Sequence, residues 1–186
     1  MKYCVFETNW GYFGLAGTQD KLCLTQLPGP DARKVEELLL RDLAVVGGRL
    51  SRSSRRSSVE LEVQSDSAYF EELQQQIVAY FDRERVVFGG EIPLSFGGVS
   101  DFGRAVLGAC RQVGFGQTMT YSTLAGRAGR PKASRAVGGV MASNPMPLII
   151  PCHRILRSDG GLGGFSAPGG VEVKRRLLEH ERRCAG

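Results

Sequence analysis

Thr120-Tyr121-Ser122-Thr123-Leu124-Ala125-Gly126, then Gly129-Arg130-Pro131, then Lys132-Ala133-Ser134-Arg135-Ala136-Val137-Gly138-Gly139-Val140-Met141 is the stretch whose reading decides the fold. Thr120 carries a hydroxyl suited to open a helix, Gly129-Arg130-Pro131 breaks the chain, and a second helix is expected from Lys132 to Met141. Helix, turn, helix is the order of a DNA-binding motif. The second helix is unusual for one that reads the major groove, where Arg, Asn or Gln must reach base edges. It offers small residues and one central arginine, Arg135. Small side chains let a helix press into a minor groove, and one arginine can fill the gap left by an extruded nucleotide. Tight packing against another helix through Ala and Gly accounts for the same residues.

Downstream, Leu148-Ile149-Ile150-Pro151-Cys152-His153-Arg154-Ile155 sets a thiol after an apolar run and a proline, beside one of only two histidines. Pro147 to Ile150 reads as a strand, and Pro151 cannot continue a ladder, so Cys152 is expected where the strand ends. Isolated cysteines and histidines are more often core residues than reactive ones. The flanking Arg154 and Arg157 nevertheless favour a thiolate by charge. A Gly-rich loop from Asp159 to Gly170 and a helix from Val171 to Arg182 close the chain.

Upstream, Asp101 is expected to cap a helix with Phe102, Ala105, Val106, Ala109, Cys110 and Val113 on one face, which makes Cys110 a core residue. Phe88 to Ser100, with Gly89, Gly90, Pro93, Gly97 and Gly98, has the composition of a linker, and the domain boundary is placed between residues 90 and 91. The N-terminal part predicts short strands at Tyr3–Glu7, Phe13–Ala16 and Leu22–Leu27 in a meander. A helix over Asp31–Leu43, an exposed loop over Ser51–Ser58 and a strand over Val59–Val63 follow. A second helix over Ser67–Phe81 is predicted to face Phe70, Leu73, Ile77 and Phe81 inward. The fold class is α+β.

The 186 residues suffice for one domain or two small ones. No apolar run approaches the ~20 residues of a membrane helix. The start, Met1-Lys2-Tyr3-Cys4-Val5-Phe6-Glu7, lacks the apolar core of a secretory signal, so a reducing cytoplasm is expected. Five cysteines without CxxC spacing argue against a disulfide framework. The net charge of +5 divides into −2 over residues 1–90 and +7 over 91–186. A polyanion-binding module beside an acidic companion and an ordinary solvated face fit that split equally well.

Pro151-Cys152-His153-Arg154-Ile155, preceded by Arg135-Ala136-Val137-Gly138 and Asn144-Pro145 and followed by Gly163-Gly164-Phe165-Ser166 and Leu178-Glu179-His180-Glu181, resembles the O6-alkylguanine-DNA alkyltransferase family over roughly residues 88 to 181. The N-terminal half is similar only in length and layout. The resemblance implies a small ribonuclease-H-like N-terminal domain, residues 1–90, and a winged-helix-like alkyltransferase domain, residues 91–186. It further implies irreversible transfer of an alkyl group from O6-alkylguanine, with O4-alkylthymine a further substrate, to Cys152 after minor-groove binding and base flipping. His153 then acts through a water as base, Glu179 holds His153, and Tyr121 helps rotate the nucleotide and contacts the guanine. Arg135 is the intercalating finger, with Lys132, Ala133 and Ser134 beside it on the DNA. Asn144 braces the motif against the active-site loop, while the Ile155 main chain, Met141, Phe165 and Ser166 surround the flipped base. Phe165 stands where some relatives have tyrosine, and Ala167 where glycine is common. The partner implied is duplex DNA, bound by a monomer that can cluster on it, without a cofactor.

Some relatives hold structural zinc through two cysteines and two histidines in the N-terminal domain. Here Cys4 and Cys23 lie in that half, but both His153 and His180 lie in the other, so no such site is expected. Three rival readings stand against the resemblance. A silent damage-binding relative would lack Cys152. A cysteine hydrolase would hydrolyse an ester or peptide, and a transcriptional regulator would bind a defined operator.

Overall fold

A computed structural model describes residues 1–53, 62–89 and 91–185, with the side chains of 47–53 left aside. It is a mixed α+β structure of two compact units. The first comprises Met1–Asp82 with Phe88–Val99, and the second comprises Arg83–Val87 with the chain from Ser100 onward. Phe88–Val99 therefore packs with the first unit rather than separating the two at residue 90. Leu22 N–H donates to Pro93 O at 2.9 Å, and Ser95 N–H donates to Leu22 O at 2.8 Å.

In the first unit β1 (Lys2–Thr8), β2 (Gly11–Gly17) and β3 (Leu22–Gly29) form an antiparallel meander. β4 (Gln64–Ser65) pairs parallel to β1, giving the order β3-β2-β1-β4. α1 (Ala32–Ser53) starts after Asp31, whose carboxylate accepts the Lys34 N–H at 2.9 Å. It runs ten residues past the expected end at Leu43 and takes in the first part of the expected loop; residues 54–61, with most of the expected 59–63 strand, lie outside the described residues.

One face of the sheet packs Ala16 and Leu24 against Leu39 and Leu43 of α1. The other carries Phe13, whose ring lies 6.2 Å from that of Phe81 on α2 (Glu71–Phe81). Both faces being covered, β2 is buried almost throughout, which hides the period-two alternation of a half-exposed strand. α2 begins four residues later than expected, because Phe70 adopts a left-handed conformation (φ 54°) that a helix cannot continue through. Phe70 is only half-buried, whereas Tyr80, not among the expected inward residues, is fully buried.

In the second unit α3 (Asp101–Arg111) is capped by Ser100, whose Oγ accepts the Gly103 N–H at 3.1 Å. Asp101, the expected cap, is instead the first helical residue, where its charge suits the positive helix end. β5 (Met119–Thr120) leads into α4 (Tyr121–Arg127), and Thr120 Oγ1 accepts the Thr123 N–H at 3.1 Å as its cap. α5 (Ser134–Ala142) follows two residues later than expected, leaving Lys132 and Ala133 in the turn. β6 (Ile155–Leu156) pairs parallel with β5, and α6 (Gly170–Ala185) ends the unit. Val106, Leu107, Cys110, Leu124, Val137 and Leu177 are buried to within 1% and form its core. Among the described residues no helix is long and apolar enough to cross a membrane.

Candidate active site

The apolar run before Cys152 is a turn, not the strand expected. Only an isolated bridge joins Pro147 to Ile150, and Leu148 has φ 76°. Two prolines, at 147 and 151, remove the N–H groups a ladder would need. Asn144 closes the turn: its Nδ2 donates to Ile150 O at 2.8 Å, and its Oδ1 accepts the Met146 N–H at 3.1 Å. Cys152 N–H donates to Ile150 O at 2.8 Å and begins a single 3-10 turn, Cys152–Arg154. That tight turn sends the side chains of Cys152 and His153 in different directions, one to a cavity and the other to α6.

The partner of His153 on α6 is Glu181, not Glu179. His153 Nε2 lies 2.7 Å from Glu181 Oε1, whereas Glu179 is exposed. Two residues along a helix turn the side chain by about 200°, so Glu179 and Glu181 face opposite ways. Lys174, Leu177 and Glu181 share the buried face at helical spacing. That spacing is the signal in the sequence that distinguishes the two carboxylates.

Glu181 is a hub of donors. Arg154 Nε donates to its Oε2 at 2.9 Å, Arg154 Nη2 to Oε1 at 2.8 Å, and the Gly116 N–H to Oε2 at 3.0 Å. Burial would push its carboxyl up, but the hydrogen bonds from His153 and Arg154 and the charge of Arg154 outweigh that and hold it well below the usual carboxylate range. Burial pushes the His153 imidazole below its ordinary value despite the pull of Glu181. The ring is therefore neutral with its proton on Nε2, donated to the carboxylate. Nδ1, a buried acceptor, has no hydrogen-bond partner among the described residues.

Burial pushes the Cys152 thiol up, opposed by a hydrogen bond from Asn144 and by the charge of Lys174. The arginines expected to favour its thiolate are engaged elsewhere. Arg154 serves Glu181, Val113 O at 2.6 Å and the face of Phe115, while Arg157 is exposed and paired with Asp159 at 2.9 Å. Lys174, which sequence reasoning missed, is the cation that acts on the thiol. It is fully buried, donates from Nζ to Ile155 O at 2.6 Å and lies 5.8 Å from the Tyr121 ring centre. A lysine at an inward helical position is itself the signal, since buried lysines are rare unless they serve a partner. Lys174→Met is expected to raise the thiol further. Each unit lowers the thiolate fraction at neutral pH about tenfold, so the pH profile of iodoacetamide alkylation should move to higher pH and the rate at neutral pH should fall.

Cys152 borders a cavity of about 1100 Å³ that Tyr121, Ser134, Arg135, Met141, Phe165 and Ser166 also line. The volume is ample for a heterocyclic base, at the upper end of small-molecule sites. Gly163 (φ 68°) brings the loop against Tyr121, where an added Cβ would sit 3.2 Å from the ring and the hydroxyl. Burial pushes the Tyr121 phenol up, so it remains a proton donor at neutral pH. Ser166 Oγ donates to Ala142 O at 2.6 Å and ties the loop to the end of α5. Ile155 stays outside the lining with its carbonyl on Lys174, and Asn144 sits behind Cys152. On α5 Arg135 is exposed, and a Cβ added at Gly138 or Gly139 would meet nothing within 4 Å. These glycines serve no internal packing, against the reading that small residues there seat a neighbouring helix.

A family model described as 6-O-methylguanine DNA methyltransferase, DNA binding domain, matches residues 101–183. The methylated-DNA–protein-cysteine methyltransferase of Methanosarcina barkeri (strain Fusaro / DSM 804) is 34% identical over 130 residues, 70% of this chain and 79% of that protein. The Mus musculus protein of the same name is 59% identical over 69 residues, 37% of this chain and 32% of that protein. The chain thus spans about a third of the length of the mouse relative it matches. Among solved structures, Mycobacterium tuberculosis OGT in complex with DNA is 27% identical with a TM-score of 0.73, covering 99% of this chain and 94% of that one.

Proposed function

We propose that this chain, which belongs to the methylated-DNA–protein-cysteine methyltransferase family, takes an alkyl group from O6-alkylguanine in duplex DNA onto Cys152 Sγ, once per molecule. The observation that carries the reading is the placement of Cys152 on the wall of a cavity with ample room for a base, with neutral His153 and ionised Glu181 behind it. α5 lies in the minor groove, where its glycine face permits close approach and Arg135 fills the space of the extruded nucleotide. Lys132, Ala133 and Ser134 contact the phosphates at its start, and Met141, Phe165 and Ser166 border the base.

A water passes the Cys152 proton to His153 Nδ1, and Glu181 holds the imidazolium that results. The thiolate attacks the alkyl carbon in line; the S–C bond forms as the C–O bond to guanine breaks. Tyr121 donates a hydrogen bond to the leaving purine, whose ring gathers the electron pair. The product thioether has no good leaving group, so the thiol is not restored. No cofactor enters these steps, and O4-alkylthymine is a further substrate of the same chemistry.

The first unit, with three antiparallel strands and a parallel fourth between helices, supports a ribonuclease-H-like description. The helix pair α4 and α5 supports a winged-helix-like one. The protein acts as a monomer in the cytoplasm, with the first unit as support and the second carrying the activity.

The test is intact-mass spectrometry after incubation with an O6-methylguanine duplex. One methyl is expected on the peptide holding Cys152, at a yield never above one per protein. Tight lesion binding without a mass change would overturn the reading in favour of a silent damage sensor.

A further inference from the structure

Thr118, Thr120, Thr123, Arg127, Arg157 and Ser158 line a second concavity of about 410 Å³ in the same unit, completed by Met119, Leu156 and Gly160. It owes its shape to the parallel pairing of β5 with β6, Met119 opposite Ile155 and Thr120 opposite Leu156, which sets the start of α4 beside the turn after β6. Its lining contains two guanidinium groups and four hydroxyls but no carboxylate. The Thr120 hydroxyl is committed to capping α4 and to Ser122 and Thr123, and Arg157 is shared with Asp159. Arg127 is exposed and makes no ion pair among the described residues. Arg157 and Ser158 line both this concavity and the base cavity, so the two lie on either side of one short loop.

We propose that this concavity is a phosphate subsite, held chiefly by Arg127 and the Thr118 and Ser158 hydroxyls, for the DNA strand that carries the flipped nucleotide. The inference rests on the DNA reading above and deepens it. A base seated against Cys152 leaves its own strand to run over the rim, and the loop 157–158 is one side of that rim. A phosphodiester beyond it meets hydroxyls and an exposed guanidinium, the donors such a group takes. Arg135 on α5 lines the same base cavity.

The test uses Arg127→Gln in the full chain, with Cys152→Ala added in both arms so that binding is measured without reaction. Affinity for an O6-methylguanine duplex is followed against salt. Loss of one phosphate contact lowers the slope of log K against log salt by about 0.9. Duplexes with a single methylphosphonate, moved one position at a time along the lesion strand, locate the contact. One position should weaken binding severalfold when Arg127 is present and leave the Arg127→Gln protein unaffected. Iodoacetamide alkylation of Cys152 in the single variant Arg127→Gln should match wild type, which shows the reactive site intact. An unchanged salt slope, or methylphosphonate losses of equal size with and without the substitution, overturns the subsite while leaving the alkyl-transfer reading in place. Failure of the wild-type protein to take a methyl from the lesion duplex overturns the alkyl-transfer reading and removes the ground for the subsite with it.

Discussion

Cys152→Ala is expected to abolish alkyl transfer entirely while leaving affinity for an O6-methylguanine duplex within a few-fold of wild type. The substitution removes only the sulfur from a side chain at the edge of the cavity, 7% exposed, and leaves the Asn144 turn, the His153–Glu181 pair and α5 in place. No other thiol can replace it. Cys110 is fully buried in the core of the second unit, Cys4 and Cys23 are buried in the first, and Cys184 lies near the end of α6, outside the cavity lining. Transfer is read as intact mass, and binding by titration of a fluorescent duplex. A methyl gained by Cys152→Ala would show that the acceptor lies elsewhere. A large loss of lesion affinity would show that the sulfur holds the base in place as well as reacting with it. Cys152→Ser should also be inactive, because a hydroxyl at its free pKa is a far weaker nucleophile than a thiol.

How much of this is legible in the sequence follows from which forces leave a local mark. Thr120 and Asp31 read as helix openers because capping is chemistry within three residues, and both accept the N–H three residues on. The apolar run 148–150 reads as a strand because burial on every side looks the same in a strand and in a packed turn. Asn144, which closes that turn, gives no such local mark, and its bracing place is expected only from the resemblance. The extra length of α1 escapes the sequence because Val45 is more than half exposed, so the apolar stripe ends while the helix continues. Lys174 escapes it for the opposite reason, since a charge inside an amphipathic helix is ordinarily assigned to the solvent face. The choice of Glu179 over Glu181 is an error of helical phase, which Lys174 and Leu177 on the buried side correct.

The charge division has a similar lesson. Of the arginines and lysines in the basic half, Arg154 and Lys174 are buried and serve protein partners, so they add nothing to a surface field. Arg127 and Arg135 are exposed and make no ion pair among the described residues, one at each of the two concavities. Net charge by position therefore marks the more basic half, but not which of its cations are free to meet a ligand.

Glu181→Ala is expected to lower the stability of the second unit by about 3–5 kcal/mol, the usual cost of stranding a buried charge, and to slow alkyl transfer by on the order of 10²–10⁴. Three groups lose their acceptor at once: the Arg154 guanidinium, the His153 Nε2–H and the Gly116 N–H. With nothing to hold the proton on Nε2, His153 no longer presents Nδ1 as a base. Glu181→Gln separates the two effects. Its amide oxygen can still accept from His153 or Arg154, so part of the stability returns, but the charge that stabilises an imidazolium does not, and the rate stays low.

The folded carboxyl of Glu181 lies below its unfolded value of about 4.3, so its contribution is full at neutral pH. That contribution is lost as pH falls from about 4.3 toward the lower folded value, because the unfolded state takes up the proton first. Urea unfolding at a series of pH values should show this acid loss in wild type and a smaller one in Glu181→Gln. The exposed Glu179→Ala should stay within about 0.5 kcal/mol of wild type and react at the wild-type rate. If Glu179→Ala slowed transfer while Glu181→Gln kept the wild-type rate and pH profile, the assignment of the histidine's partner to Glu181 would be wrong.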